Sequence, residues 1–199
     1  MPGFVSRAGN KLDHALAAFH LPVAGLVCAD LGSSTGGFVD CLLQRGAAKV
    51  YAIDTGYGAL DWKLRNDPRV VVMERTNAMH AVLPEPVMLV SIDVAWTRQR
   101  HILPAAAKLL APGGCVVSLF KLHYEAENRL LRRGRLPLEH APAILKLVCD
   151  DAIKAGFEIP AVTPSPIAGA GGNQEWLAWL RPSAPKPDGP RPIGPAAEK

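Results

Sequence analysis

No apolar run in the 199-residue sequence approaches the roughly 20 residues that a membrane-spanning helix needs. The amino terminus also lacks a charged head followed by an apolar core, so no secretory leader is expected and the cytosol is the expected compartment. Cysteine is sparse: Cys28, Cys41, Cys115 and Cys149 lie far apart among apolar neighbours, in no metal-ligand or redox spacing. Buried, reduced thiols are the expectation. His14, His20, His80, His101, His123 and His140 show no paired spacing with cysteines or carboxylates, so no metal is expected. No repeat recurs at solenoid-like spacing, and the chain is too short for two full α/β domains.

With 49% hydrophobic residues there is enough apolar material for one continuous core. From Leu26 onward, β-rich apolar runs alternate with helix-like stretches: LVCADLG then GGFVDCLLQRG, KVYAIDT then ALDWKLRN, VVVME, PVMLVSIDV then RHILPAAAKLLA, and CVVSLFK. That alternation predicts an α/β domain with a mostly parallel sheet and helices on both faces. LEHAPAILKLVCDDAIKAGF reads as a long amphipathic helix. EIPAVTPSPI and QEWLAWLRP then read as strands six and seven, joined by the glycine-rich GAGGN into a terminal antiparallel hairpin. Residues 1–24 form an amino-terminal helical segment, SRAGNKLDHALAAFH, whose start is marked by Ser6 and which is expected to pack on the core. The α/β domain spans 25–181, and 182–199 is a proline-rich tail with too few apolar groups to order itself.

The first strand runs into Asp30, Leu31, Gly32, Ser33, Ser34, Thr35, Gly36, Gly37 and Phe38, a glycine-rich turn at the carboxyl edge of the sheet, where ligands bind in doubly wound folds. Its spacing departs from the GxGxxG of dinucleotide folds. An acidic residue there suits the cationic amino-acid end of S-adenosylmethionine better than a pyrophosphate; another nucleotide or a plain structural turn remain alternatives. Asp54, ending strand two, is placed to accept hydrogen bonds from ribose hydroxyls, although strand-end aspartates also form turns. Asn77, after strand three, is a candidate reader of the adenine edge, with helix capping as its rival.

Strand four ends at Asp93, strand five at Lys121, and the last hairpin opens on Glu175. With Lys11 from the first helix, two amines and two carboxylates can converge at one sheet edge. SRAGNKL (6–12), DLGSSTGGFVDCLLQRGAAKVYAIDTGYG (30–58), DPRVVVMERTN (67–77), SIDV (91–94), Lys121 and GNQEW (172–176) together resemble the TlyA-type branch, also called hemolysin, of the FtsJ-like RNA ribose 2′-O-methyltransferases. The resemblance runs from about Val5 to about Leu180. It implies a Rossmann-like methyltransferase fold, S-adenosylmethionine as cofactor with Asp93 also bordering it, RNA and in particular ribosomal RNA as substrate, and a Lys-Asp-Lys-Glu tetrad carried by Lys11, Asp93, Lys121 and Glu175. Where that branch has an amino-terminal S4-type RNA-binding domain, none is expected here, leaving room for a separate RNA-binding partner. Ala95-Trp96 and Leu122 replace residues usual in the branch, which bears on the RNA target more than on the chemistry.

That chemistry asks for such residues. A ribose hydroxyl is a feeble nucleophile and must lose its proton as it attacks a sulfonium methyl group, so Lys121 is the candidate base or proton-orienting group. Lys11, partial burial and the sulfonium charge would favour a neutral amine, while Asp93 and Glu175 would fix geometry. Next to Lys121, the stretch KLHYEAENRLLRRGR sets Arg129, Arg132, Arg133 and Arg135 against Glu125 and Glu127. These arginines, with Arg7, are candidate phosphate contacts, and Trp96, Tyr124 or His123 could stack on an extruded base; a solvated basic loop is the alternative. Three other functions fit less of the sequence: a small-molecule or protein methyltransferase, a non-catalytic RNA-binding or ribosome-assembly factor, and a membrane-lytic protein.

Overall fold

The computed structural model describes residues 3–183. Seven strands, β1 (Val27–Leu31), β2 (Lys49–Ile53), β3 (Val70–Met73), β4 (Val87–Ile92), β5 (Leu110–Phe120), β6 (Phe157–Pro164) and β7 (Trp176–Pro182), form one sheet in the order β3-β2-β1-β4-β5-β7-β6. The first five run parallel, and β7 inserts antiparallel between β5 and β6. The order reverses between β1 and β4, so their carboxyl ends open a crevice.

Alternating side chains of the strands feed two cores, one on each face. Tyr51 and Ile53 share one apolar cluster with Ile102, Leu103 and Ala106 of α4 (Gln99–Leu109) and Ile144, Val148 and Ala152 of α6 (Ala141–Lys154). Val50 and Ala52, one residue out of phase, pack with Leu12, Ala15 and Leu16 of α1 (Ala8–Ala18) and Phe38, Val39 and Leu42 of α2 (Gly37–Gln44). The amino-terminal helix is thereby part of one apolar layer. Truncating a side chain as enclosed as Leu42 would cost about 2–5 kcal/mol.

The expected helix over ALDWKLRN is a single turn, α3 (Trp62–Arg65). Its Trp62 is largely exposed, so no apolar face extends it, and Asp61 caps it by accepting the Lys63 N–H at 2.8 Å. Helix α1 begins at Ala8 rather than Ser6; Ser6 contributes its carbonyl to the Gly9 N–H and no side-chain cap. At the other end the fold passes the expected boundary at 181, since Pro182 belongs to β7 and the Ser183 N–H donates to the Gly156 carbonyl at 2.8 Å. The rest of the proline-rich tail, 184–199, lies outside the described residues.

Candidate active site

A cleft of about 450 Å³ occupies the crevice at the β1–β4 reversal. Its floor is the turn between β1 and α2. Gly32 sits at φ +87° with its α-carbon against the other strand end: a Cβ there would come within 2.6 Å of the Asp93 carbonyl. Only glycine lets the two strand ends approach that closely. The Gly32 and Ser33 N–H groups donate to the Ile53 carbonyl, at 2.8 and 3.1 Å, tying the turn to β2. Ser33, Ser34, Thr35, Gly37 and Phe38 line the cleft. Gly36 does not border it; at φ +100° it faces Leu60 and Leu64, so its place is in packing rather than in ligand contact.

Three aspartates and one lysine, Asp30, Asp54, Asp93 and Lys121, are the charged residues of the wall. Asp30 is completely buried; one oxygen accepts the Ser91 hydroxyl at 2.6 Å and the other has no partner. Burial pushes its carboxyl up to about 8 from an ordinary 3.8, the Ser91 hydrogen bond working against that and Asp93 and Asp54 adding to it. An orphaned buried oxygen among carboxylates is suited to a cationic ligand group and hostile to a pyrophosphate. Asp54 accepts the Ser34 and Gly56 N–H groups, each at 2.7 Å, so it is a turn-former as well as a wall residue, with lone pairs still free. Asn77 likewise caps a short 3-10 turn, accepting the Met79 N–H at 2.9 Å, while lining the cleft. The donor set thus fits an adenosyl ligand whose other end is cationic.

The four sequence-selected amines and acids fall into two pairs. Lys121 and Asp93 line the cleft with Nζ 2.5 Å from Oδ1, a charge contact that lies off hydrogen-bonding alignment, since that oxygen has no aligned donor. Lys11 donates to Glu175 at 2.5 Å in a buried pair that joins α1 to the start of β7. The ladder register ends at Phe120 opposite Trp176, so the next step sets Lys121 opposite Glu175. Inserting β7 beside β5 is therefore what brings the second pair to the first.

At the mouth, Trp96 is exposed, has φ +66°, and meets Tyr124 at a ring separation of 4.9 Å. His123 packs on Tyr124 at 4.0 Å, and burial followed by the nearby Lys121 charge lowers its basicity. A second groove, of about 580 Å³, runs from this cluster past Arg133 and Arg135 to Asn173. Arg129 and Arg132 stand off it, paired with Glu127 and Glu139 on the surface. Arg7 is exposed at the start of α1, beside Ser6 and Ala8 of the cleft wall.

Several buried polar residues here are not site candidates from the sequence, although Asn173 lies within the GNQEW stretch. Glu125, ending α5 (Leu122–Glu125), accepts the Gln99 N–H at 2.7 Å, and Gln99 Oε1 accepts the Ser118 hydroxyl at 2.7 Å. Asn173 accepts the Leu136 N–H at 2.9 Å and donates to the Gly134 carbonyl at 3.2 Å. For Gln99, Ser118 and Glu125 the one sequence signal is polarity at positions that flank apolar strand ends.

A profile of the family described as FtsJ-like methyltransferase matches residues 4–182. Over 187 residues the chain is 42% identical to "Putative rRNA methyltransferase YqxC" of Bacillus subtilis, covering 89% of this chain and 65% of that protein. Over 185 residues it is 42% identical to the 16S/23S rRNA (cytidine-2'-O)-methyltransferase TlyA of Mycobacterium tuberculosis, covering 89% and 68%. A solved structure, "Putative hemolysin from Streptococcus thermophilus", superposes with a TM-score of 0.88 at 40% identity, covering 92% of this chain and 68% of that one. The chain spans about two thirds of the length of the curated relatives it matches.

Proposed function

The chain belongs to the FtsJ-like methyltransferase family, and from that premise we propose that it is an S-adenosylmethionine-dependent RNA ribose 2′-O-methyltransferase acting on ribosomal RNA. The observation that carries the reading is the Lys121–Asp93 contact on the wall of an acid-lined cleft. Ribosomal RNA enters from the names of the two curated relatives.

In this reading Asp30 receives the cofactor's ammonium, Asp54 its ribose hydroxyls and Asn77, through Nδ2, its adenine edge, while the Gly32 turn admits the ligand to the backbone. When bound, S-adenosylmethionine supplies an electrophilic methyl group. Lys121 Nζ holds and orients the target 2′-hydroxyl and, in its neutral form, takes the proton as the oxygen attacks the methyl group, with Asp93 stabilising the ammonium that forms. The Lys11–Glu175 pair holds β7 at the register that presents Glu175 to Lys121. Trp96 and Tyr124 stack the target base, and Arg133 and Arg135, with Arg7, Arg129 and Arg132 around them, hold phosphates along the second groove.

The test is transfer of labelled methyl from S-adenosylmethionine to isolated ribosomal subunits, followed by mapping of ribose methylation. Lys121→Ala is expected to lower transfer by about 100-fold or more with cofactor affinity within about twofold of wild type. Label appearing only in proteins or small molecules, or an undiminished Lys121→Ala, would refute the reading. Among the described residues no helix is long and apolar enough to cross a membrane.

A further inference from the structure

The proposed reaction needs two chain segments held against each other: residues 93–98, which follow β4 and carry Asp93 and Trp96, and residues 121–125, which follow β5 and carry Lys121 and Tyr124. Both functional contacts between them are poor glue. The Lys121–Asp93 contact is short but misaligned, and the Trp96–Tyr124 contact lies at the protein surface. The first segment is also strained, because a bulky residue such as Trp96 at φ +66° costs on the order of 1–3 kcal/mol unless its surroundings enforce it. Something else must hold the loop in that conformation.

Beneath the two segments lies a chain of buried hydrogen bonds. Glu125 turns inward and accepts the backbone N–H of Gln99, the first residue of α4 and the third after Trp96. The Gln99 side chain turns back to β5, accepting the Ser118 hydroxyl at 2.7 Å and reaching the Leu119 carbonyl at 3.5 Å. Gln99, Ser118 and Glu125 are each less than a tenth exposed. No cation forms an ion pair with Glu125 among the described residues. A buried carboxylate spent on one backbone N–H is costly as mere packing, and here it anchors the start of α4 to the far end of α5.

We propose that Glu125 and Gln99 are positioning residues for methyl transfer: their hydrogen bonds clamp the Asp93–Trp96 loop to the Lys121–Tyr124 segment, setting the place of the target nucleotide against Lys121. The proposal rests on the functional reading above. Neither residue borders the cleft itself; they reach it only through the 93–97 loop and Lys121, which line it, so the loss at the target step is expected to exceed any loss of cofactor binding.

The test compares Glu125→Ala, Glu125→Gln and Gln99→Leu in the full chain. Because a displacement of about 1 Å can cost about 100-fold in rate, Glu125→Ala is expected to lower kcat for RNA by about 10- to 100-fold. Its affinity for S-adenosylmethionine, measured without RNA by calorimetry, is expected to fall much less than kcat does. Glu125→Gln keeps an acceptor oxygen and should recover most of the rate. Gln99→Leu, which keeps the volume and the backbone N–H, is the second variant should Glu125→Ala fold poorly. Amide hydrogen exchange is the readout independent of RNA: exchange across 93–100 and 121–126 should quicken in Glu125→Ala and return in Glu125→Gln. Unchanged kcat in a folded Glu125→Ala or Gln99→Leu, unchanged exchange, or an equal loss of cofactor binding would each overturn the clamp. If wild-type protein moves no methyl group to RNA, the functional reading fails, and exchange still decides the clamp.

Discussion

Asp30 offers the sharpest measurement. Its carboxyl is completely buried, one oxygen is unpartnered, and burial holds its proton up to about pH 8 instead of 3.8. The folded state therefore binds this proton more tightly than the unfolded chain, so the protein is most stable with respect to this group below about pH 4. Stability is then lost as pH rises through the window up to about 8. At pH 7 the cost is about three units at about 1.4 kcal/mol each, on the order of 4 kcal/mol. Asp30→Asn keeps an acceptor for the Ser91 hydroxyl and removes the titration. In urea unfolding from pH 4.5 to 8.5, its stability is expected to match wild type at the acid end and to exceed it by several kcal/mol at the alkaline end. Cofactor binding reverses the logic, because an ammonium placed on the orphan oxygen favours the carboxylate. At pH 7 a group with a pKa of about 8 is about nine-tenths protonated, so binding should release close to one proton, read as a binding enthalpy that changes with the ionisation enthalpy of the buffer. In Asp30→Asn that buffer dependence should vanish and affinity should fall. Parallel stability curves for the two proteins, or a buffer-independent enthalpy in wild type, would refute the reasoning.

Lys11→Met leaves Glu175 charged, buried and unpaired, and is expected to lower unfolding free energy by about 3–5 kcal/mol; in chemical denaturation the double variant Lys11→Met/Glu175→Leu should regain most of that. Gly32→Ala places a methyl group against the Asp93 carbonyl at a φ that favours glycine; thermal unfolding should show a stability loss of about 1–3 kcal/mol, and calorimetry a cofactor affinity weakened at least tenfold. RNA affinity should fall steeply with salt, and Arg133→Ala/Arg135→Ala should reduce the slope of log K against log salt by about two; an affinity indifferent to ionic strength would remove the phosphate grip.

The parts of the site that were legible in the sequence are those written at strand ends. A short apolar run followed by Asp93 or by Lys121 fixes both the element and the edge from which the side chain projects, and the Asp30–Phe38 turn announces itself by its glycines. Pairing was not legible. Lys121 meets Asp93 because β5 pairs with β4, but that Lys11 meets Glu175 beside them depends on β7 entering the sheet between β5 and β6, and no local pattern encodes which of two late strands lies inside. Asn77 and Asp54 each admit two roles from the sequence, and their local hydrogen bonds show the turn and capping roles to be present alongside their place on the wall. Gln99 carries no sequence signal beyond its polarity and Glu125 reads as a solvated counter-charge to the arginines, because a polar residue at a helix end reads as solvated, and only the tertiary fold turns both inward.

The same long-range pairing explains why the arginine loop and the acid of the last hairpin belong to one unit. Asn173, two residues before Glu175, holds that loop by accepting the Leu136 N–H and donating to the Gly134 carbonyl, and a Cβ on Gly172 would come within 3.2 Å of the Arg135 guanidinium. The turn that ends in Glu175 is thus also the prop beneath Arg133 and Arg135. A change in that turn shifts the second groove, proposed to hold phosphates, and the Lys11–Glu175 pair together. On the proposed reading, RNA grip and target-side geometry are coupled through the turn that carries Asn173 and Glu175, and Trp96, which lines both the cleft and the second groove, joins that side to the cofactor wall.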